Sequence, residues 1–461
     1  MRISAPDLSR VSTLRAAYAQ GLSAHVVVDR VLERLAARPD GVWISRFDAA
    51  TLHARAAAME QRWAPDARPP LYGVPFAVKD NIDVAGLPTT AACPAFSYSP
   101  AADATSVRLL LEQGAIAVGK TNLDQFATGL VGTRSPYGAP ESVFGGDLIS
   151  GGSSSGSGVA VAAGTVAFAL GTDTAGSGRV PAALNGIVGL KPTRGLVSTA
   201  GVVPACRSLD CVSVFANDLD DARLVLAALA GPDPADPWSR ASKRPTRRAD
   251  MYDSPRGGAS ESPTRSVETY DSRWRVGVPV DAGLADRGYA EAFRRVVERV
   301  DARPVPLEPL FEAGDLLYDG PWVAERLADL AVFLDEHPDD VLPVTRAVIE
   351  RGRGFDAVAT FRARHRLQEL RAWAERLWTR VDALLLPTIP TTFTRAQLAA
   401  EPVAHNRTLG RFTQFTNLLD LAAVAVPAGT TADGRPFGVT LHGPAFTEDR
   451  LISAARRLEA A

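Results

Sequence analysis

The sequence predicts an α/β protein built on a central mixed β-sheet covered by helices on both faces. From Tyr72 onward, short apolar runs bounded by Gly and Pro alternate with stretches of helical periodicity. Before that point the chain reads as helix. With 46% hydrophobic and 22% charged residues, a chain of 461 residues can bury a large core without metal or disulfide staples.

Taken in order, about the first 65 residues form an N-terminal helical region. Ser12 and Ser23 stand where N-caps would, and Leu, Val and Ala recur at helical spacing from Val26 to Leu35. A core of about residues 66–230 follows, with strands expected at Val74–Val78, Ala115–Val118, Val166–Leu170 and Ile187–Leu190. A second part, about 275–461, carries strands at Val276–Val278, Leu384–Leu386 and Val424–Val426, and amphipathic helices near 288–301, 320–336 and 355–380. Between the two parts, residues 239–273 hold eight Lys/Arg against five Asp/Glu and few aliphatics. Such a stretch cannot bury enough apolar surface to offset its ordering entropy, so it reads as a disordered surface insertion.

Composition excludes several function classes. Lys and Arg total 50 against 52 Asp and Glu, a balance without the basic excess of a nucleic-acid binder. Cys93, Cys206 and Cys211 form no CxxC pair and no disulfide framework, which fits a cytoplasmic protein. The N-terminal residues lack the apolar segment of a secretory signal, and no run of 18 apolar residues marks a membrane span. The six histidines are scattered, with no HExxH and no ligand spacing, so no metal and no organic cofactor is expected.

Two motifs point elsewhere and fail on context. GAIAVGKT (Gly114–Thr121) has the letters of a phosphate-binding loop, but its middle residues are themselves strand-like and a helix, Thr105–Gln113, precedes it. Lys120 then reads as a residue just past a strand end. GSSSG (Gly152–Gly156) has the letters of a nucleophile elbow centred on Ser154, yet nothing around His405 or His442 marks a base.

Three other pieces stand together: Val78-Lys79-Asp80-Asn81, the Gly/Ser run Ser150–Gly158, and Gly171-Thr172-Asp173-Thr174-Ala175-Gly176-Ser177. Alone, a lysine at a strand end is usually a solvated charge and a Gly/Ser run a turn. In this order, GVPFAVKDN, GGSSSGSG and GTDTAGSGRVPA resemble the amidase signature family, over roughly residues 10–230 and more weakly from 275 to 461. The resemblance implies the amidase-signature fold and a Ser–cis-Ser–Lys triad. Lys79 would be the base, Ser153 the bridging serine in a cis peptide and Ser177 the nucleophile. Ser155 stands where the family more often has Gly, and Gly158 follows Ser157; neither change touches Ser153. The backbone N–H groups of Thr174, Ala175, Gly176 and Ser177 would form the oxyanion hole, with Asp173 and Arg179 bracing the loop or forming a surface pair. The chemistry is coherent. A serine needs a neighbouring base, no histidine motif supplies one, and a lysine serves only when burial disfavours its charged form.

Within the family, TNLDQFATGLVGTRSPYGAP (121–140), VVPACRSLDCVS (202–213) and LLYDGPWVAER (316–326) resemble the allophanate hydrolases. That resemblance implies hydrolysis of allophanate, urea-1-carboxylate, with Tyr318 and Arg326 holding the substrate carboxylate; a phenol and a planar guanidinium suit that group. It further implies a functional link to urea carboxylase and is compatible with a homodimer. The further C-terminal domain usual in allophanate hydrolases is absent from these 461 residues. Carboxybiuret, another small amide, glutamine (as in the amidase component of an amidotransferase) or a non-catalytic scaffold role stand as alternatives.

Overall fold

The computed structural model describes residues 7–37, 41–241 and 274–458. The architecture is the mixed α/β sheet that the alternation of apolar runs predicts. Eleven strands run in the order β1-β3-β2-β4-β6-β5-β10-β11-β9-β7-β8. The strands are β1 (Trp43–Arg46), β2 (Pro75–Lys79), β3 (Ile116–Thr121), β4 (Phe168–Thr172), β5 (Val188–Lys191), β6 (Val212–Ala216), β7 (Val276–Pro279), β8 (Ala302–Val305), β9 (Ala383–Pro387), β10 (Leu421–Thr430) and β11 (Pro436–Pro444). All seven expected strands are present. Every residue of β2 to β5 is buried, as continuous apolar runs in a two-sided sheet require.

The N-terminal region is not wholly helical. Helices Val11–Ala19, Ala24–Ala36 and Ala49–Arg62 enclose β1, which adds to the sheet edge antiparallel to β3. Ser23 caps its helix by accepting from the His25 N–H, whereas Ser12 lies inside its helix, which begins at Val11. Lys120 is also corrected: it lies within β3 with its side chain buried, 3.1 Å from the Asp80 carboxylate, and donates to Thr89. GAIAVGKT follows the helix Thr105–Glu112 and is a turn and a strand.

The parallel set β3-β2-β4 positions the candidate chemistry. Lys79 ends β2 and Thr172 ends β4, so the two face the same rim, the carboxyl ends where open α/β sheets place their sites. The helix Ser155–Ala162 and the loop 173–179 start from that rim. On the far half of the sheet, helices Glu308–Tyr318 and Ala357–Leu377 pack Leu310, Leu317, Leu367 and Leu370 into a core shared with Leu384 and Leu386 of β9.

From residue 242 onward the expected insertion lies outside the described residues. Its expected first residues, Ser239 and Arg240, are instead anchored. Ser239 accepts from the Asp233 N–H, and Arg240 pairs with Asp420 at 2.8 Å. Among the described residues no helix is long and apolar enough to cross a membrane.

Candidate active site

Lys79 is buried at the end of β2, and its ammonium reaches two hydroxyls, Ser153 Oγ and Thr172 Oγ1, each at 2.7 Å. Thr172 occupies the neighbouring strand end and also receives Asn81 Nδ2 at 3.4 Å. Burial pushes the Lys79 amine down to about 7, against the opposing pull of Asp124, Asp210 and Asp173; Arg326 adds to the lowering. Near neutrality this lysine can therefore hold or release its proton.

The Gly/Ser run places Ser153. The Gly152–Ser153 peptide bond is cis. Gly152 leaves no room for a side chain: a Cβ would sit 2.0 Å from an Asp124 carboxylate oxygen and 2.7 Å from the Gly132 nitrogen. The same Asp124 carboxylate accepts the N–H groups of Val131, Gly132 and Arg134, so the run is threaded through a satisfied polar turn. Ser154, the elbow candidate, is buried, bonds the Thr172 carbonyl at 3.2 Å and immediately precedes the helix Ser155–Ala162. The histidines weighed with it are elsewhere. His442 packs on Phe415 and His405 stacks on Phe393.

The loop after β4 carries Ser177, whose hydroxyl takes no hydrogen bond among the described residues and opens onto a cavity of about 90 Å³. The loop is braced from within. Asp173 and Arg179, both fully buried, pair through two contacts of 2.8 and 2.9 Å, which settles them as an internal brace. Burial alone would raise the Asp173 carboxyl; the Arg179 guanidinium outweighs it and holds the carboxyl below its ordinary range. Arg179 also donates to Thr416 Oγ1 and the Thr413 carbonyl. Removing one partner of such a pair leaves an uncompensated buried charge, so Arg179→Ala is expected to cost about 3–5 kcal/mol. The urea-unfolding midpoint reads this directly; a cost below about 1 kcal/mol would mean the brace is dispensable.

The expected set of four oxyanion donors is corrected at one position. The Gly176 N–H is already given to the Asp173 carboxylate at 2.8 Å. Among the described residues, the N–H groups of Thr174, Ala175 and Ser177 take no acceptor, and all three residues line the cavity.

Tyr318 and Arg326 line the same cavity as Ser177. Tyr318 ends the helix Glu308–Tyr318 and Arg326 sits in the second turn of the helix Trp322–Glu336. The expected single helix over 320–336 thus starts at Trp322, and a short turn lets both side chains converge. One guanidinium nitrogen of Arg326 donates to Thr128 Oγ1 and to the Ala127 carbonyl. Its Nε and Nη2 take no acceptor among the described residues, which leaves donors for an anion.

Some neighbours were not legible in the sequence. Arg134 is buried beside the cavity and bonds the Thr128 and Pro402 carbonyls, each at 2.8 Å. Asn406 accepts the Leu130 N–H at 2.8 Å. Thr172 had a signal, since it adjoins the Asp173–Ser177 motif at a strand end. A larger groove of about 760 Å³, lined by Trp238, Trp322, Phe361 and Arg364 among others, lies alongside. It holds none of the Gly/Ser-run or nucleophile-loop residues; the convergent polar groups belong to the smaller cavity. Among the described residues no group of three or more His, Cys, Asp or Glu is placed to hold a metal ion.

Urea amidolyase of Saccharomyces cerevisiae is 44% identical over 426 residues, which is 91% of this chain and 22% of that protein. The chain thus spans about a fifth of the length of the first curated relatives it matches. A glutamyl-tRNA(Gln) amidotransferase component of Akkermansia muciniphila is 32% identical over 449 residues, 90% of this chain and 91% of that one. Among solved structures, Kluyveromyces lactis allophanate hydrolase matches with a TM-score of 0.88 at 39% identity, covering 97% of this chain and 72% of that chain. The sequence profile of the family named Amidase matches residues 26–452. With that match running from the second N-terminal helix almost to the end of the chain, this protein belongs to the amidase family.

Proposed function

We propose that this chain hydrolyses allophanate through Ser177, Ser153 and Lys79. The observation that carries the reading is one cavity lined by an unbonded serine hydroxyl, a tyrosine and a part-free guanidinium, together with a buried, low-pKa lysine that bonds Ser153. Neutral Lys79 takes a proton by way of Ser153, whose hydroxyl both accepts and donates. Ser177 Oγ attacks the terminal carbamoyl carbon, and the N–H groups of Thr174, Ala175 and Ser177 stabilise the oxyanion. The C–N bond breaks and ammonia leaves with the proton returned through Ser153. Water then cleaves the acyl-enzyme, releasing an N-carboxylated carbamate that breaks down to ammonia and carbon dioxide. Tyr318 and Arg326 hold the substrate carboxylate.

The small cavity and its guanidinium favour a short anion over a peptide or an uncharged amide. Both the urea amidolyases and the allophanate hydrolase named above support this substrate and a functional link to a urea carboxylase, which would supply it. A glutamine-dependent role, as in the amidotransferase, shares the chemistry but uses no substrate carboxylate next to the reacting carbonyl. A cytoplasmic location completes the reading, which is compatible with a homodimer.

Arg326→Ala tests it. Truncating one partner of a buried, hydrogen-bonded charge pair costs about 2–5 kcal/mol, so kcat/KM for allophanate should fall roughly 30-fold to several thousand-fold at about 1.4 kcal/mol per tenfold. Biuret, the uncharged analogue, lacks the carboxylate and should change little. Tyr318→Phe removes one hydrogen bond and should cost about 0.5–1.5 kcal/mol. If Arg326→Ala depresses both substrates equally, the carboxylate reading fails.

A further inference from the structure

We infer that Glu325 is a positioning residue for substrate selection: it fixes the helix that carries Arg326 to the same turn that supports the nucleophile loop. This rests on the reading of Arg326 as the carboxylate holder. Glu325 lies in the first turn of the helix Trp322–Glu336, next to Arg326 but about 100° round the helix. It turns away from the cavity, toward residues 205–210. One carboxylate oxygen accepts the Ser208 N–H at 2.7 Å; the other accepts the Ser208 hydroxyl at 2.7 Å and lies 3.0 Å from the Cys206 thiol. One turn further along, Asp329 receives Arg207 at 2.8 Å. Residues 325 and 329 share a helix face, so the helix is held to this turn at two successive points.

The turn is held from its other side by Asp210. This buried carboxylate accepts the Ala205 N–H at 2.8 Å and the Cys206 N–H at 3.0 Å, and also the Thr174 hydroxyl. Thr174 belongs to the nucleophile loop. A continuous chain therefore runs from Arg326 to Glu325, the 205–210 turn, Asp210, Thr174 and the Ser177 loop. Charge-assisted bonds of this kind are the stronger hydrogen bonds available to a protein. A shift of the helix by a fraction of an ångström would move the guanidinium relative to Ser177, and such misplacement costs rate even when it arises outside the reacting groups. Cys206 is buried, and its thiol is pushed well above its usual range by burial and by Glu325, so it serves here as a neutral donor.

The test is kcat and KM for allophanate and biuret in four proteins: wild type, Glu325→Ala, Arg326→Ala and the double variant. Glu325→Ala is expected to lower the allophanate-over-biuret ratio of kcat/KM about tenfold, mainly through KM, in the range of coupling between neighbouring residues. In the Arg326→Ala background the same substitution should change that ratio less than about twofold, because the group it positions is gone. Glu325→Gln keeps the acceptor for the Ser208 N–H and should recover part of the loss. Should Glu325→Ala fail to fold, Ser208→Ala is expected to move the ratio in the same direction by a smaller factor. An equal fall for both substrates, or a ratio loss of the same size in both backgrounds, would overturn the positioning role. A failure of the carboxylate reading is distinguishable: it appears in Arg326→Ala alone, as an equal loss for both substrates, and takes this inference with it.

Discussion

Ser177→Ala is expected to lower kcat by on the order of 10⁶-fold, because without the nucleophile no acyl-enzyme forms and nearly all covalent catalysis is lost. The fold should survive. Ser177 makes no side-chain hydrogen bond among the described residues and opens on the cavity, so its loss orphans no buried partner. Ser154→Ala is the control. Ser154 precedes a helix and its hydroxyl donates to the Thr172 carbonyl at the end of β4, and the variant should keep most of its activity with a modest stability cost of about 1 kcal/mol. The measurement is ammonia release at saturating allophanate, with circular dichroism to confirm folding. An active Ser177→Ala protein, or a folded but inactive Ser154→Ala protein, would return the assignment to the elbow motif.

Lys79→Met is expected to remove most of the rate, about 10⁴-fold, and with it the ascending limb of the pH profile. The base must be neutral to act. With its pKa pushed to about 7, kcat/KM should rise with pH through that region and level off above it. Arginine cannot rescue the position because it stays protonated. The same shift bears on stability. An unfolded lysine binds its proton with a pKa near 10.5 and the folded one near 7, so between these values the unfolded chain binds more protons. Stability contributed by this group therefore rises as pH increases from about 7 toward 10.5, and Lys79→Met should flatten that part of the curve. A pH-independent rate, or a fast Lys79→Met protein, would exclude lysine as the base.

Much of this was legible in the sequence, for a physical reason. Lys79, Ser153 and Ser177 were singled out by resemblance to the amidase signature motifs, each of which is a short contiguous run, since a strand end or tight loop is written locally in Gly, Ser and apolar residues. The same holds for β2, β4 and β9, whose buried runs are continuous. What was not legible depends on partners far apart in the chain. The Lys120–Asp80 pair spans 40 positions and makes a buried strand residue of a lysine that reads locally as a loop residue. The links from Glu325 to Ser208 and from Arg134 to Pro402 span 117 and 268 positions. Gly176 could not be seen to spend its N–H on Asp173 without the loop's conformation. Among the strands, β1 is four residues between helices and β8 contains Pro304 at the sheet edge, where proline is tolerated. β6 is different: VSVFA is an apolar run of ordinary strand length, yet it was not among the seven expected strands.

The central claim is that an anionic amide is chosen by the Tyr318–Arg326 wall and cleaved by Ser177. Its most direct measurement is ammonia release from allophanate, biuret, malonamate and glutamine by one preparation of the full chain, compared as kcat/KM. The account predicts allophanate first by at least about 30-fold over biuret, the lower bound set by one buried carboxylate contact. Biuret or glutamine turned over as efficiently as allophanate would contradict it.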